Sequence, residues 1–419
     1  MPTNEKSRAQ AEEVIARCKK IASFSEQSGR TSRSFLSLPM RDCHQEIAKW
    51  LEPLGAEIRI DAAGNLRAFY AAAEPNAPRL LIGSHLDTVP DAGAFDGVLG
   101  VVLGVALIEG LRGERLSYGI EVVGFSEEEG VRFATPFIGS RALVGRLDGD
   151  ILIREDERGV SVRAAIEDFG LKPSEIPDAR LKGDILGYIE FHIEQGPVLE
   201  DMGLPLGLVE AVTGQSKMEF TFTGRASHAG TTPMHLRRDA IAGAAEWIAA
   251  VEREAQRVPG LLATVGVLEG KTGATNVIAG KARLTLDVRH RVDDVRGAAV
   301  ETLIRLAKEI AARRGLSVQY GTPVNLESVA MDSFLVVQIE EAMRKAGCTP
   351  HRMVSGAGHD AMILAEQVPT AMIFLRTPGG ISHSPEERVN VEDVEKALET
   401  GVHLLELLAC SPALQKKEN

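Results

Sequence analysis

The stretch RLLIGSHLDTVPDAGAFDGVLGVVLGVALI (79–108) changes character twice along its length. RLLIGSH is a short apolar run ending on His85, the pattern of a strand buried on both faces. GVLGVVLGVALI (97–108) is greasy on every side and reads as a buried helix. It is too short for a membrane span, which takes about 20 apolar residues to cross roughly 30 Å. Between the two lie Asp87, Asp91 and Asp96, set among small and apolar neighbours. Buried charges need partners, so this strand, turn and helix predict further polar groups brought in from elsewhere in the chain.

The pattern recurs. IEVVGF (120–125) runs into Glu127, Glu128 and Glu129, GYIEFHIEQGP carries His192, and VPTAMIFLRTPGGISHS leads to His383. Strand-like runs alternating with helical stretches predict an α/β sheet. Ligands collect beyond the strand ends of such sheets, so four titratable clusters in that position point to one site.

The middle of the chain reads differently. KMEFTFTG (217–224) alternates like a strand, 237–257 like a helix, and LLATVGVLEG (261–270) and NVIAGKARLTLDVRH (276–290) like two more strands. Over 293–314, Val300, Leu303, Ile304, Ala307, Ile310 and Ala311 share one helical face, and LSVQYGTPV (316–324) closes the unit. The order βαββαβ is the split, ferredoxin-like arrangement. It predicts an inserted domain at 215–328 and an α/β domain made of 1–214 plus 329–419.

At 419 residues the chain exceeds one typical core, which agrees with two domains. Hydrophobic residues at 44% and charged residues at 25% exclude a disordered or fibrous chain. A net charge of −12 disfavours a nucleic-acid partner, whose phosphates it would repel. No run suits a membrane, and MPTNEKSRAQAEEVIARCKK lacks the apolar core of a signal peptide. Cys18, Cys43, Cys348 and Cys410 form no CxxC pair, the usage expected of a reduced, cytoplasmic protein.

Of ten histidines, His44, His235, His290, His351 and His403 have no special context and read as ordinary core or surface residues. His85, His192, His228, His359 and His383 lie in Gly-rich or strand-end segments. In a two-metal centre, imidazoles and carboxylates hold two ions roughly 3.5–4 Å apart, and one carboxylate can bridge them. His85, Asp96, Glu129, His192 and His383 are the parts for one, and a bridging Asp96 would be fully paired. The local HEXXH signal is absent, so spacing leaves a second reading open, a set of ordinary strand-end polar residues. Asp87, two residues after His85, suits the carboxylate that orients a metal-bound imidazole, or a turn cap before Val-Pro. Asp91 reads as a turn residue. Glu128 and Glu129 could supply a general base and a ligand side by side, although a run of glutamates is more often a solvated face.

GSHLDTVPDAGAFDG, EEEGVRF, HIEQGPVLE, SHAGTTPM, RRDA, TNVIAG, LDVRH, SGAGHDA and GGISHSPEE follow one another from about residue 83 to 390. As a set they resemble the di-metal aminoacylase/carboxypeptidase-like amidohydrolases. Within these they look like the carbamoylase branch, which comprises allantoate amidohydrolase, N-carbamoyl-L-amino-acid hydrolase and β-ureidopropionase. The resemblance implies that His85, Asp96 and His192 hold one ion, that Asp96, Glu129 and His383 hold or share the other, and that Glu128 is the general base. His192 stands where peptidase relatives usually carry a carboxylate. The resemblance also implies that His228, on the inserted domain, reaches the active site of the other subunit, making a homodimer with a closing lid.

The substrate-side residues agree. Arg289 can hold a carboxylate bidentately, or pair with Asp293 or Asp294 on the surface. Asn276 can donate and accept, or serve as a turn residue. Gln195 could contact a ureido group. Gly358, Gly379 and Gly380 leave backbone N–H groups approachable, or occupy turns that need positive φ. His359 reads as pocket lining without a role of its own. The expected reaction is hydrolysis of a linear ureido C–N bond in a small carboxylate substrate, with Zn or Mn as the lead metals and Co or Ni also compatible. An aminoacylase or dipeptidase acting on ordinary amides is the alternative within the enzyme class, and a non-catalytic metal-binding relative lies outside it. FLRTPGGISH departs from the family's usual wording before the last histidine, which bears on pocket shape and not on His383 as a ligand.

Overall fold

Short runs rich in Val, Ile and Leu form parallel strands when both faces are covered. The computed structural model, which describes residues 3–271 and 274–411, follows that rule. Four strands lie side by side in parallel: Gly119–Phe125, Arg79–His85, Ile185–Ile193 and Thr370–Leu375. Antiparallel strands extend both flanks, Leu66–Tyr70 and Glu57–Ile60 on one side and Leu206–Val212 on the other. The result is a mixed sheet. In register His85 faces Phe125, and Phe374 faces His192. The parallel strands therefore deliver His85, residues 126–129, residues 192–195 and the segment leading to His383 to one edge of the sheet.

The helix Val98–Gly110 is buried from Val98 to Ile108. It lies on the strands Arg79–His85 and Ile185–Ile193, and the helices Thr3–Ala22 and Val391–Ala409 cover its other side. That double cover explains its apolar character all round, each Val, Leu or Ile contributing about 1.5–3 kcal/mol of burial. Among the described residues, no helix is long and apolar enough to cross a membrane. Cys18, Cys43 and Cys348 are buried and Cys410 is exposed, all as free thiols.

A second compact unit comprises Ala211–Ala330 and Val354–Ala357. Its main strands are Gly214–Thr223, Lys281–His290 and Ser317–Leu326, with Leu262–Thr264 and Leu268–Lys271 both pairing with Lys281–His290. All neighbours are antiparallel, in the spatial order fourth, first, third, second of a split βαββαβ unit. The helices Ala240–Arg257 and Asp293–Arg313 pack on one face, where Phe220, Phe222, Trp247, Leu284, Leu286 and Leu303 form the core. The first of these helices begins at Ala240, not at 237, because the Asp239 side chain accepts from the N–H groups of Ile241 and Ala242.

Unit boundaries fall at 210/211 and 330/331, against the expected 214/215 and 328/329. The end of Leu206–Val212 pairs with Val329–Ala330 and so travels with the second unit. Residues 354–357 join it for a reason invisible in the sequence: Thr213 N–H donates to the Ser355 carbonyl at 2.9 Å, and Arg289 Nη1 donates to the Gly356 carbonyl. The expected second strand at 261–270 is split in two, and Val277–Ile278 leaves the sheet to pair with Ser227–His228.

Candidate metal centre

His85 ends its strand, and the chain turns back so that Asp96 lies beside it. Gly97 makes this possible. It has φ +67°, and a Cβ there would stand 2.5 Å from the His85 ring. Asp96 Oδ1 lies 3.1 Å from His192 Nε2 and 3.5 Å from His85 Nε2. Its other oxygen, Oδ2, lies 3.2 Å from His383 Nε2, which is 3.4 Å from Glu129 Oε1. Of the four groups of potential ligands among the described residues, two contain Asp96, His85–Asp96–His192 and Asp96–Glu129–His383, each with its atoms within 4.8 Å of one another.

The donor chemistry fits divalent ions. His85 Nδ1 lies 2.9 Å from the Asp87 carbonyl, and His192 Nδ1 lies 2.9 Å from the Ile193 carbonyl. A carbonyl can only accept, so each Nδ1 carries a proton, and each ring in its neutral form turns its Nε2 lone pair inward. The two Nε2 atoms are 3.5 Å apart, and both face Asp96 Oδ1, a fully buried oxygen that receives no hydrogen bond. Converging lone pairs around an orphaned carboxylate oxygen are tolerable only with a cation among them.

Without metal, protons moderate the repulsion. Burial alone would lift Asp96, but the imidazoles of His192, His383 and His85 outweigh it and hold the carboxyl well below its ordinary range. Burial pulls His85 and His192 down, and the surrounding carboxylates, Asp96 first, overcome it and raise both. His383 is raised by its contact with Asp96.

Asp87 stands beside His85 as expected, but its carboxylate is not the hydrogen-bond acceptor of that ring. Its carboxylate lies 3.7 Å from His85 Nδ1, which is already taken by the Asp87 backbone carbonyl. Asp87 Oδ1 instead accepts from the Glu128 N–H at 2.9 Å, and Oδ2 from the Glu129 N–H at 3.0 Å. Asp87 thus fixes the backbone beneath the expected base and ligand. Glu128 is buried, and its carboxyl lies within 4.8 Å of His85 and Glu129 ligand atoms. Burial pushes Glu128 well above the ordinary carboxylate range against the pull of His85, and Glu129 up to about 7. Proton transfer near neutral pH favours such values.

Other expected site residues are placed as follows. Gln195 Nε2 donates to Asp96 Oδ2 at 3.0 Å and to Ser382 Oγ at 3.2 Å, and lies 3.3 Å from His383 Nε2. It meets the electron pairs of the second ligand set. Gly379 and Gly380 have φ +75° and +63°, the turn reading. The Gly380 N–H is not open to a substrate, because it donates to the Thr377 carbonyl at 2.8 Å. Gly358 is exposed and backs onto Phe137. His359 is buried edge-on against His192, with ring centroids 4.6 Å apart.

In the second unit, pairing of Val277 with His228 brings His228 and Asn276 together, the Asn276 carbonyl accepting from Ala229 N–H at 2.8 Å. Arg289 is gripped bidentately by Asp287 at 3.0 and 2.9 Å, not by Asp293 or Asp294. Gln215 donates to the same Asp287 at 2.7 Å.

Two carboxylates around the site, Glu190 and Glu387, escaped the sequence reading, and Glu127 was seen there only as a member of an acidic run. Glu190 accepts from Ser84 Oγ at 2.8 Å and from the Ala361 N–H at 3.0 Å. Strand period two puts it on the face of His192, a signal that was available. Glu127, pushed by burial to about 8, accepts from the Phe35 and Arg132 N–H groups. Glu387 accepts from the Phe95 and Asp96 N–H groups.

Residues 81–407 match the family described as Peptidase family M20/M25/M40. The chain belongs to that family. This M20 member is 37% identical to the N-carbamoyl-L-amino acid amidohydrolase of Geobacillus stearothermophilus over 96% of its own length and 99% of that protein. It is 33% identical to the allantoate amidohydrolase of Escherichia coli (strain K12), over 93% and 96% of the two chains. The crystal structure of an amidase of the hydantoinase/carbamoylase family from Burkholderia multivorans superposes with a TM-score of 0.90 at 32% identity, covering 96% of this chain and 98% of that one.

The raised imidazoles give the M20 centre a pH signature. In the metal-free protein His85, His192 and His383 keep protons above the ordinary 6.5, and a cation must displace them. Metal affinity is therefore expected to rise with pH above 6.5, with protons released on binding. Calorimetry in buffers of different ionisation enthalpy would count them, and binding with no proton release would refute this protonation pattern.

Proposed function

We propose that this chain hydrolyses the linear ureido C–N bond of a small carboxylate substrate, allantoate or an N-carbamoyl-L-amino acid, releasing ammonia and carbon dioxide. The observation that carries the proposal is Asp96 shared between two ligand sets, with the buried Glu128 alongside. Relatives named for both substrates, at 37% and 33% identity, support the chemistry and leave the choice between them to experiment.

Two divalent ions, Mn²⁺ or Zn²⁺ in first place with Co²⁺ or Ni²⁺ compatible, would be held by His85, Asp96, His192, Glu129 and His383. Bound there, they would supply Lewis acidity and lower the pKa of water. Glu128 accepts the proton from the attacking water and passes it to the leaving nitrogen. One water consumed gives the amine and carbamate, and carbamate falls apart to ammonia and carbon dioxide. Asp87 holds Glu128 and Glu129 in place through their N–H groups.

Arg289, aligned by Asp287, and Asn276 bind the substrate carboxylate, and Gln195 and Gly358 contact the ureido end. The inserted unit, 215–328, serves as lid and dimerisation domain. In the homodimer His228 of one protomer donates to the oxyanion that develops at its partner's site.

The test is ammonia release by Mn²⁺-loaded protein from allantoate, N-carbamoyl-L-methionine and N-carbamoyl-β-alanine, with a chelated control. Release from one of them that the chelator abolishes is the expected result. Silence on all three with metal bound would overturn the ureido assignment in favour of ordinary N-acyl amides.

A further inference from the structure

We infer that Glu387 is a positioning residue for the shared carboxylate, fixing Asp96 so that its two oxygens face the two ligand sets. The inference rests on the metal reading above and adds a residue to it. Glu387 is buried, 5% exposed, and belongs to neither ligand set. Its Oε1 accepts from two consecutive N–H groups, Phe95 at 2.8 Å and Asp96 at 3.0 Å. Its Oε2 accepts from Ser382 Oγ at 3.4 Å, and the same hydroxyl lies 3.2 Å from Asp96 Oδ2. One carboxylate therefore ties the backbone of Asp96 to the residue that precedes His383.

A bridging carboxylate works only if each oxygen faces its own ion, and the Asp96 side chain has just two torsions beyond the backbone that sets its aim. The regular helix begins only at Val98, whose N–H donates to the Asp96 carbonyl at 2.7 Å. Residue 91 has φ +59° and residue 97 φ +67°, so the 91–97 turn is irregular and contains no regular element. Gly93 shows how closely Glu387 is seated. A Cβ on it would stand 2.4 Å from the Glu387 Cβ and Oε1. Paired N–H groups aimed at a single carboxylate oxygen give a charge-assisted clamp. Outer groups of this kind orient metal ligands without touching the metal.

The experiment is metal binding by full-length protein, stripped by chelator and titrated with Mn²⁺, read by calorimetry and by metal content after desalting, with circular dichroism as the fold control. Three variants separate the terms. E387A removes the acceptor. G93A leaves the acid but displaces it. E387Q keeps an oxygen that can accept both N–H groups and an amide that can donate to Ser382.

E387A and G93A are expected to weaken at least one ion by roughly 10–100-fold, and E387Q to stay within about threefold of the parent. Unchanged binding in E387A and G93A would overturn the role of Glu387 alone. Equal loss in E387Q would also overturn it, because acceptor geometry would then not be the cause. If E387A fails to fold, the contrast between G93A and E387Q decides. A parent chain that takes up no ion overturns the metal reading and this inference with it.

Discussion

Replacing Glu128 by glutamine is expected to lower kcat by about 10²–10⁴-fold, the worth of a positioned general base, with metal content unchanged. The amide keeps the shape of the side chain and cannot take a proton. The backbone beneath it stays where Asp87 holds it, since that contact uses the residue 128 N–H and not its side chain. Glu129 cannot stand in, because its carboxylate faces His383 at 3.4 Å. Stability should move the other way. Burial raises the folded-state pKa of Glu128, so in the metal-free protein its ionisation costs stability progressively as pH rises from the ordinary 4.5. E128Q removes that cost, and its metal-free form should melt no lower than the parent at pH 8. Steady-state kinetics with metal analysis checks the first half and a thermal melt the second. Turnover within tenfold of the parent at full metal loading would remove Glu128 from the role of base.

The sheet was legible because its strands are buried on both faces and so read as unbroken apolar runs. The 97–108 run was legible as a helix because it is too long for a strand and too short for a membrane. In the inserted unit the period of the two helices carried the reading, and Leu303, Ala307 and Ile310 do face its core. Legibility ended where the chain leaves regular pairing. Val277–Ile278 looks like the start of the following strand, and only the three-dimensional pairing with Ser227–His228 separates it. Residues 354–357 join the second unit through backbone acceptors, which any sequence could supply.

In the site, the residues of the two potential ligand sets were readable, since they lie in or beyond the C-terminal ends of apolar runs. The residues that hold them were not. Asp87 was visible, but its partners are N–H groups 41 and 42 residues away, so the sequence pointed it at His85 instead. Glu387 serves an N–H 291 residues away, which no local pattern encodes. Gly380 was read as an open donor because glycine exposes its backbone, yet its turn closes on its own N–H. Asp87 and Glu387 act on the site chiefly through backbone N–H groups, which every residue but proline carries.

Asparagine at position 96 should have a larger effect on metal than any outer change. It keeps the volume and the N–H that Glu387 accepts, and removes the charge both ligand sets share. Loss of an outer partner costs roughly 10–100-fold in affinity, so D96N should lose more than about 10²-fold and hold fewer ions than the parent. A misfolded variant would give the same metal analysis, and linkage distinguishes the two. Ligand binding to the folded state adds about 2.7 kcal/mol at 100 times Kd. Added Mn²⁺ should therefore raise the melting temperature of the parent and leave D96N unmoved.

In the metal-free state the two should part below the raised imidazole values, where the parent's histidines are protonated. His85, His192 and His383 have raised folded-state values, largely through Asp96, so their protonated forms stabilise the parent below the ordinary 6.5 and lose that contribution as pH climbs through the raised values. Without the Asp96 charge burial prevails, the buried imidazoles resist protonation, and D96N should unfold at a less acidic pH than the parent. Near-equal melting at high pH, divergence as pH falls and no response to metal is the signature of a lost shared ligand. A D96N chain that still gains stability from Mn²⁺ as the parent does would mean that the two sets do not share Asp96.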